Sequence, residues 1–140
     1  MKTAVTIAVA VLLVAVAAFA SQAPEVDAHL TTKTTAKQIG DAKGPLNVKF
    51  DIAITNRSDA PVTLKRVEVQ TDDSSGIDIS DGKKKADITI APGATETIRL
   101  VAKSVASSNE AQTEPLELMV LLSFKGPGGG FIKAFSQSIE

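Results

Sequence analysis

Residue types that carry catalysis are scarce in this 140-residue chain. It has no cysteine, and His29 is its only histidine. A serine–histidine–acid arrangement would have to use His29, which follows closely on an apolar leader at residues 1–20. Catalytic groups need a rigid support, and the start of a domain is a poor one. We therefore interpret His29 as a solvated side chain and predict no catalytic residues, so that the protein is not an enzyme.

Metal binding is the other chemistry to consider from the residue types. Zinc and copper need clusters of His, Cys or Met ligands, which a single histidine without cysteine does not supply. Calcium instead binds six to eight oxygen atoms, and Asp72, Asp73, Asp78 and Asp81 fall in one short stretch. Their spacing is not that of an EF-hand, and Asp is also common in turns. We predict no cofactor, with calcium at these four aspartates as the alternative.

Alternating apolar residues indicate the strands that must support any such site. The strongest alternation covers residues 46–55, where every second side chain is apolar, and this predicts a half-buried strand. In residues 62–71 the apolar positions change parity at Lys65 and Arg66. One extra residue there would return both halves to the core, so the pattern predicts a β-bulge.

Weaker patterns predict the remaining strands. Gln38–Pro45 and Gly126–Gly130 are predicted to be loops, and no helix is predicted after the leader. Seven or eight short strands with turn residues between them indicate an all-β, immunoglobulin-like β-sandwich over residues 28–140, preceded by an N-terminal apolar leader helix. The predicted strands are 28–35, 46–55, 62–71, 77–79, 86–90, 95–103, 116–125 and 131–139.

The strand at residues 116–125 is apolar on both faces, which predicts a central strand. Its residues Met119 and Leu121 lie opposite the core-facing side, and Ile132 and Ala134 of the terminal strand would extend them into one patch. A contiguous exposed apolar surface often marks an interaction site. We predict an interface at these four residues, with two alternatives: a cover formed by residues 104–115, or isolated exposed side chains, which are common.

Composition narrows the classes of partner. Lys2 is one of 15 basic residues, so the chain without its leader has 14 basic and 16 acidic residues, a net charge of −2. This balance excludes the clustered positive charge of a nucleic-acid binder. Five Phe with no Trp or Tyr also make a carbohydrate-binding or base-stacking surface a poor match. The remaining partners are an envelope protein or a second copy of the chain, with membrane contact only through an uncleaved leader.

The first twenty residues resemble a secretory signal peptide. Lys2 supplies the positive start, an apolar run follows, and Ala18-Phe19-Ala20 matches the small-x-small pattern before a cleavage site. The alternative is an uncleaved anchor, although the apolar run is short for a hydrocarbon core of about 30 Å. We predict an exported protein, periplasmic or extracellular, with residues 1–20 as signal or anchor and residues 21–27 as a tether.

Two turn motifs resemble those of bacterial extracytoplasmic immunoglobulin-like modules. The first is the hairpin from Ile54 to Val67, with its Asn56-Arg57-Ser58-Asp59-Ala60-Pro61 turn, and the second is the Ala91-Pro92-Gly93 turn into the next strand. The cell-adhesion-related (CARDB) and fibronectin-type-III-like modules are examples. The resemblance implies an immunoglobulin-like fold and an envelope location, and it carries over no catalytic residue.

Together these patterns predict a non-enzymatic exported β-sandwich that acts in surface recognition or as a structural part of the cell envelope. Two alternatives stay open. One is a calcium-dependent binding module that uses the Asp72–Asp81 loop, and the other is an accessory subunit or inhibitor of an envelope enzyme.

Overall fold

A computed structural model describes residues 23–72, 75–106 and 115–140 of the chain. The predicted leader and Asp73 lie outside these residues. The described elements are β1 (Val26–Thr31), α1 (Ala36–Asp41), β2 (Leu46–Asn56), β3 (Val62–Thr71), β4 (Ile77–Ser80), β5 (Lys83–Ile90), β6 (Thr95–Ala106), β7 (Leu116–Gly126) and β8 (Gly129–Ile139).

The strands form two four-stranded antiparallel sheets. Sheet A has the order β1-β2-β6-β4, and sheet B has the order β5-β3-β7-β8. The predicted all-β sandwich is confirmed, and β7 is a central strand as predicted. The core lies between the sheets, because each contributes an alternating row of apolar side chains. Val48, Phe50, Ile52 and Ile54 of β2 are fully buried.

The predicted bulge in β3 is also confirmed. The register of β3 shifts between Leu64 and Arg66 against both of its neighbours, β5 and β7. On either side of the shift, Val62, Leu64, Val67 and Val69 are all buried. The extra residue therefore keeps the apolar halves of β3 on the core face despite their change of parity.

The predicted loop at Gln38–Pro45 is wrong in its first half, where the chain forms α1. A capping box starts this helix: the Thr35 hydroxyl accepts a hydrogen bond from the Gln38 backbone N–H at 3.1 Å, and the Gln38 side chain accepts one from the Thr35 N–H at 2.8 Å. The box satisfies donors that a helix start leaves free. Ala36 and Ile39 are buried, so core packing holds a helix of only six residues.

Several predicted boundaries also move. β1 begins at Val26 and ends at Thr31, so it starts inside the segment predicted as a tether, because buried Val26 has the inward parity of Leu30. β5 begins at Lys83, before the predicted strand at 86–90, because Lys83–Lys85 pair with β3. Pairing of β7 with β8 extends to Gly126 and Gly129, so the hairpin loop is shorter than the predicted five residues.

Asn56 joins the two sheets at one end of the sandwich. It ends β2 of sheet A, and its amide donates hydrogen bonds to the carbonyls of Ala60 at 2.8 Å and of Ile90, in β5 of sheet B, at 2.9 Å. Its side-chain oxygen accepts from the Ser58 N–H and hydroxyl. Asn56 is fully buried, and these hydrogen bonds satisfy the polar atoms of its own side chain in the core.

Gln137 joins β8, at the edge of sheet B, to β1, at the edge of sheet A. Its side-chain oxygen accepts a hydrogen bond from the Leu30 N–H at 2.9 Å, and its amide nitrogen donates to the Leu30 carbonyl. One side chain thus satisfies both backbone groups of a residue on the neighbouring sheet. The contact closes one side of the sandwich.

Candidate interaction surface

The four predicted interface residues lie together on the outer face of sheet B. Leu121 of β7 is directly opposite Ala134 of β8, and Met119 and Ile132 lie one diagonal step away on either strand. Met119 is 47% exposed and Ile132 is 69% exposed, while Ala134 is exposed and Leu121 half-buried. We call these four residues the apolar strip. Its role as an interface stays a prediction.

The alternative cover for this strip was the segment at residues 104–115. Ser104–Ala106 instead belong to β6 of sheet A, where Ser104 is buried and pairs with Leu46. Residues 107–114 lie outside the described residues. The first part of the predicted cover is therefore already part of the other sheet.

Two rows of side chains cross the outer face of sheet B from β5 to β8. One row is Lys85, Arg66, Ser123 and Ile132, and the next is Lys83, Glu68, Leu121 and Ala134. Side chains in register project to the same face of an antiparallel sheet. The apolar strip therefore has charged neighbours along its β3 side.

Glu68 is the carboxylate nearest the middle of this face, and side chains of the same face bind it. The Lys83 ammonium lies 3.5 Å from it, and the Gln70 amide donates a hydrogen bond to it at 2.9 Å. Its side chain is only 20% exposed. Glu68 is thus satisfied within the domain.

Arg66 and Lys85 differ from Glu68 in this respect. They are cross-strand partners of like charge, both exposed, and no ion pair among the described residues includes either of them. We call them the cation pair. At the bulge beside them, Lys65 does have a partner: its ammonium lies 2.9 Å from Asp87 and, by hydrogen bond and charge, lowers the pKa of that carboxyl.

The four aspartates of the calcium hypothesis are not gathered by the described part of the chain. Asp78 and Asp81 line an open cavity of about 490 Å³, whereas Asp72 lines a different hollow beside Met119. Asp73 lies outside the described residues. Within them, no group of three or more His, Cys, Asp or Glu side chains is placed to hold a metal ion. Calcium binding stays a prediction.

His29 lies within β1, rather than at a fraying start, on the outer face of sheet A. It is exposed, and its cross-strand partner is Ala53.

Asn56 is the first residue of an Asn-Arg-Ser glycosylation sequon. It is fully buried, and its side-chain amide donates hydrogen bonds to two backbone carbonyls. No helix in the described ranges is both long and apolar enough to cross a bilayer.

Comparison with solved structures identifies the fold class. The yeast GGA1 GAE domain–P21 structure superposes with a TM-score of 0.55 at 14% identity, over 86% of this chain and 95% of that one. The GAE domain of GGA2p from Saccharomyces cerevisiae gives a TM-score of 0.42 at 8% identity, over 86% and 93%. Native alpha-2-macroglobulin from Escherichia coli, from domain MG7 to the C-terminus, gives 0.44 at 18%, over 84% and 17%.

At these identities the likeness to the GGA1 domain shows the fold alone, an immunoglobulin-like β-sandwich. No protein-family model matches the sequence, and no curated protein matches it either. The general fold resemblance is confirmed, while the narrower one to CARDB or fibronectin-type-III-like modules stays a prediction.

The sequence reasoning missed the cation pair. Arg66 and Lys85 are far apart in the chain, and they meet only because β3 pairs with β5 across a register shift. A basic run at Lys83–Lys85 was visible in the sequence. Its relation to Arg66 depends on strand order, for which the residues themselves carry no signal.

Proposed function

We propose that this chain is an exported, non-catalytic β-sandwich that binds a protein of the cell envelope through the apolar strip. The carrying observation is the strip itself: adjacent apolar side chains on two paired strands, with Met119 and Ile132 47% and 69% exposed. A contiguous apolar surface of this kind is typical of an interaction site. The signal-like residues 1–20 support export.

The size of the strip limits what it can do alone. Burying an apolar side chain completely is worth about 1.5–3 kcal/mol, so Met119 and Ile132 offer only a few kcal/mol together. Association costs about 4–15 kcal/mol in lost freedom of motion. A stable interface of about 800 Å² per partner must therefore extend onto the polar residues beside the strip.

The test removes the apolar groups of the strip and compares the result with a matched change on the other sheet. Met119→Ser with Ile132→Ser should weaken binding of the partner isolated from the native envelope by about a hundredfold. Val101→Ser with Val105→Ser removes two exposed valines of sheet A and should leave the affinity unchanged. Isothermal titration calorimetry with purified partner gives the affinities, and thermal melts check folding. Equal affinities for both double variants and the unmodified chain would overturn the proposal.

A further inference from the structure

The cation pair is unfavourable in the isolated domain. Like charges directly opposite each other on neighbouring strands repel, and the described residues place no carboxylate in an ion pair with Arg66 or Lys85. The nearest carboxylate in register, Glu68, is held by Lys83 and Gln70. An anion from outside the domain would relieve this repulsion.

The cation pair also lies next to the apolar strip. Arg66 and Ile132 belong to one row, separated by the single residue Ser123, so two strand spacings of about 4.8 Å each put them about 10 Å apart. One bound segment of moderate length can therefore reach both. Arginine is well suited to such a contact, because its planar fork binds a carboxylate through two parallel hydrogen bonds.

We propose that the partner presents a protein segment with a carboxylate beside apolar side chains: the carboxylate binds between Arg66 and Lys85, and the apolar groups cover the strip. This inference rests on the proposed function, since it assigns the chemistry of the same partner. It also supplies the polar contacts that the small strip lacks.

Two other occupants fit this face less well. An anionic membrane would meet Glu117, an exposed carboxylate on the same face as the strip, which would repel its headgroups. A second copy of the chain would present the same cation pair, and the Glu68 carboxylate of that face is already paired with Lys83. Two copies would therefore bring two cation pairs to one interface, which a partner with its own free carboxylate avoids.

Selection from a random-peptide phage library on the immobilised protein tests the inference. We expect enriched peptides to carry Asp or Glu beside Leu, Ile, Val or Phe. The affinity of a synthetic enriched peptide should fall about tenfold in the Arg66→Gln, Lys85→Gln variant and should weaken with added salt. Lys49→Gln with Lys103→Gln removes two exposed cations of sheet A and serves as the matched control. Enrichment without acidic residues would overturn the inference.

The variants separate the two proposals. If Met119→Ser with Ile132→Ser abolishes peptide binding and the charge variant does not change it, the proposed function stands and the acidic partner is wrong. If neither variant matters, both are wrong. Vesicles of phosphatidylcholine with about one quarter phosphatidylglycerol test the membrane: binding that the charge variant abolishes would overturn the protein partner. A dimer in sedimentation velocity that the strip variant abolishes would overturn it in favour of a second copy.

Discussion

The two sheets have inner faces of the same kind and outer faces of different kinds. On the outer face of sheet A, Val101 and Val105 are 47% and 38% exposed, but Lys103 lies between them on β6, and their cross-strand partners are Lys49 and Asp78. On sheet B the exposed apolar residues are neighbours of one another. Both outer faces thus carry exposed apolar side chains. These side chains are separated by polar residues on sheet A and adjoin one another on sheet B.

Charges follow the same division. On sheet A, Arg99 lies opposite Asp51, with its Nε 3.1 Å from a carboxylate oxygen. On sheet B, Arg66 lies opposite Lys85. Exposed lysines without an ion pair occur on both faces, since Lys49 and Lys103 of sheet A form none among the described residues. What distinguishes sheet B is that its strand pairing brings two like charges together beside contiguous apolar residues.

The largest expected effect concerns the inner, core-facing side of the sheets, which is of the same kind in both. Phe50 is fully buried in β2, so Phe50→Ala should lower the free energy of unfolding by about 3–5 kcal/mol through lost burial and a residual cavity. Thr97→Ala, on the exposed side of sheet A, should cost less than about 0.5 kcal/mol. Urea unfolding measures both. Similar costs would mean a register wrong by one residue, which would exchange inner and outer faces.

Residue patterns were sufficient for the fold because alternation is a local property. The period of two in β2 and the parity change in β3 each identify the core face from one segment alone. The helix α1 was missed for a related reason. Its six residues are too few to show a helical period, and Gly40 within them suggested a loop, so only the Thr35–Gln38 capping box could have indicated it.

A second prediction concerns how the two sheets are held together. Asn56→Ala removes a donor to the buried Ile90 carbonyl, while the Ala60 carbonyl keeps its hydrogen bond from the Ser58 hydroxyl. A buried polar group left without a partner costs about 1–3 kcal/mol. We expect a loss of that size in the free energy of unfolding. Asn47→Ala, on the exposed side of β2, is the control. If the two variants unfold alike in urea, Asn56 does not join the sheets and their relative placement rests on apolar packing.

Of the candidate surface, the apolar strip could be predicted from the sequence and the cation pair could not. The contacts of Asn56 were missed for the same reason as the cation pair. The strip residues alternate along two strands that adjoin in the chain, so a hairpin was enough to bring them together. Asn56 reads as a turn residue, and its contact with Ile90 needs the two sheets to be placed first. Arg66 and Lys85 likewise meet only through the order of β3 and β5. Both contacts depend on pairing between distant parts of the chain, which the local residue pattern does not determine.

The smallest expected effect has the opposite sign and tests the charge difference directly. Lys85→Glu replaces a like-charged cross-strand pair with an opposite-charged one, so it should raise the free energy of unfolding by about 0.2–1 kcal/mol. Arg99→Glu makes the reverse change on sheet A, placing a carboxylate opposite Asp51, and should lower it by a similar amount. Urea unfolding at low salt measures both changes, and added salt should reduce them, because screening weakens exposed charge interactions.

The sign of the Lys85→Glu effect is the informative result. If Arg66 and Lys85 form a binding site, Lys85→Glu should make the domain more stable and its binding of acidic peptides weaker. The repulsion between the two cations destabilises the free domain, and a bound carboxylate relieves it. A loss of stability in Lys85→Glu would show that Arg66 and Lys85 do not repel each other in the free protein. The need for an external carboxylate would then disappear, and the outer faces of the two sheets would differ only in the arrangement of their apolar residues.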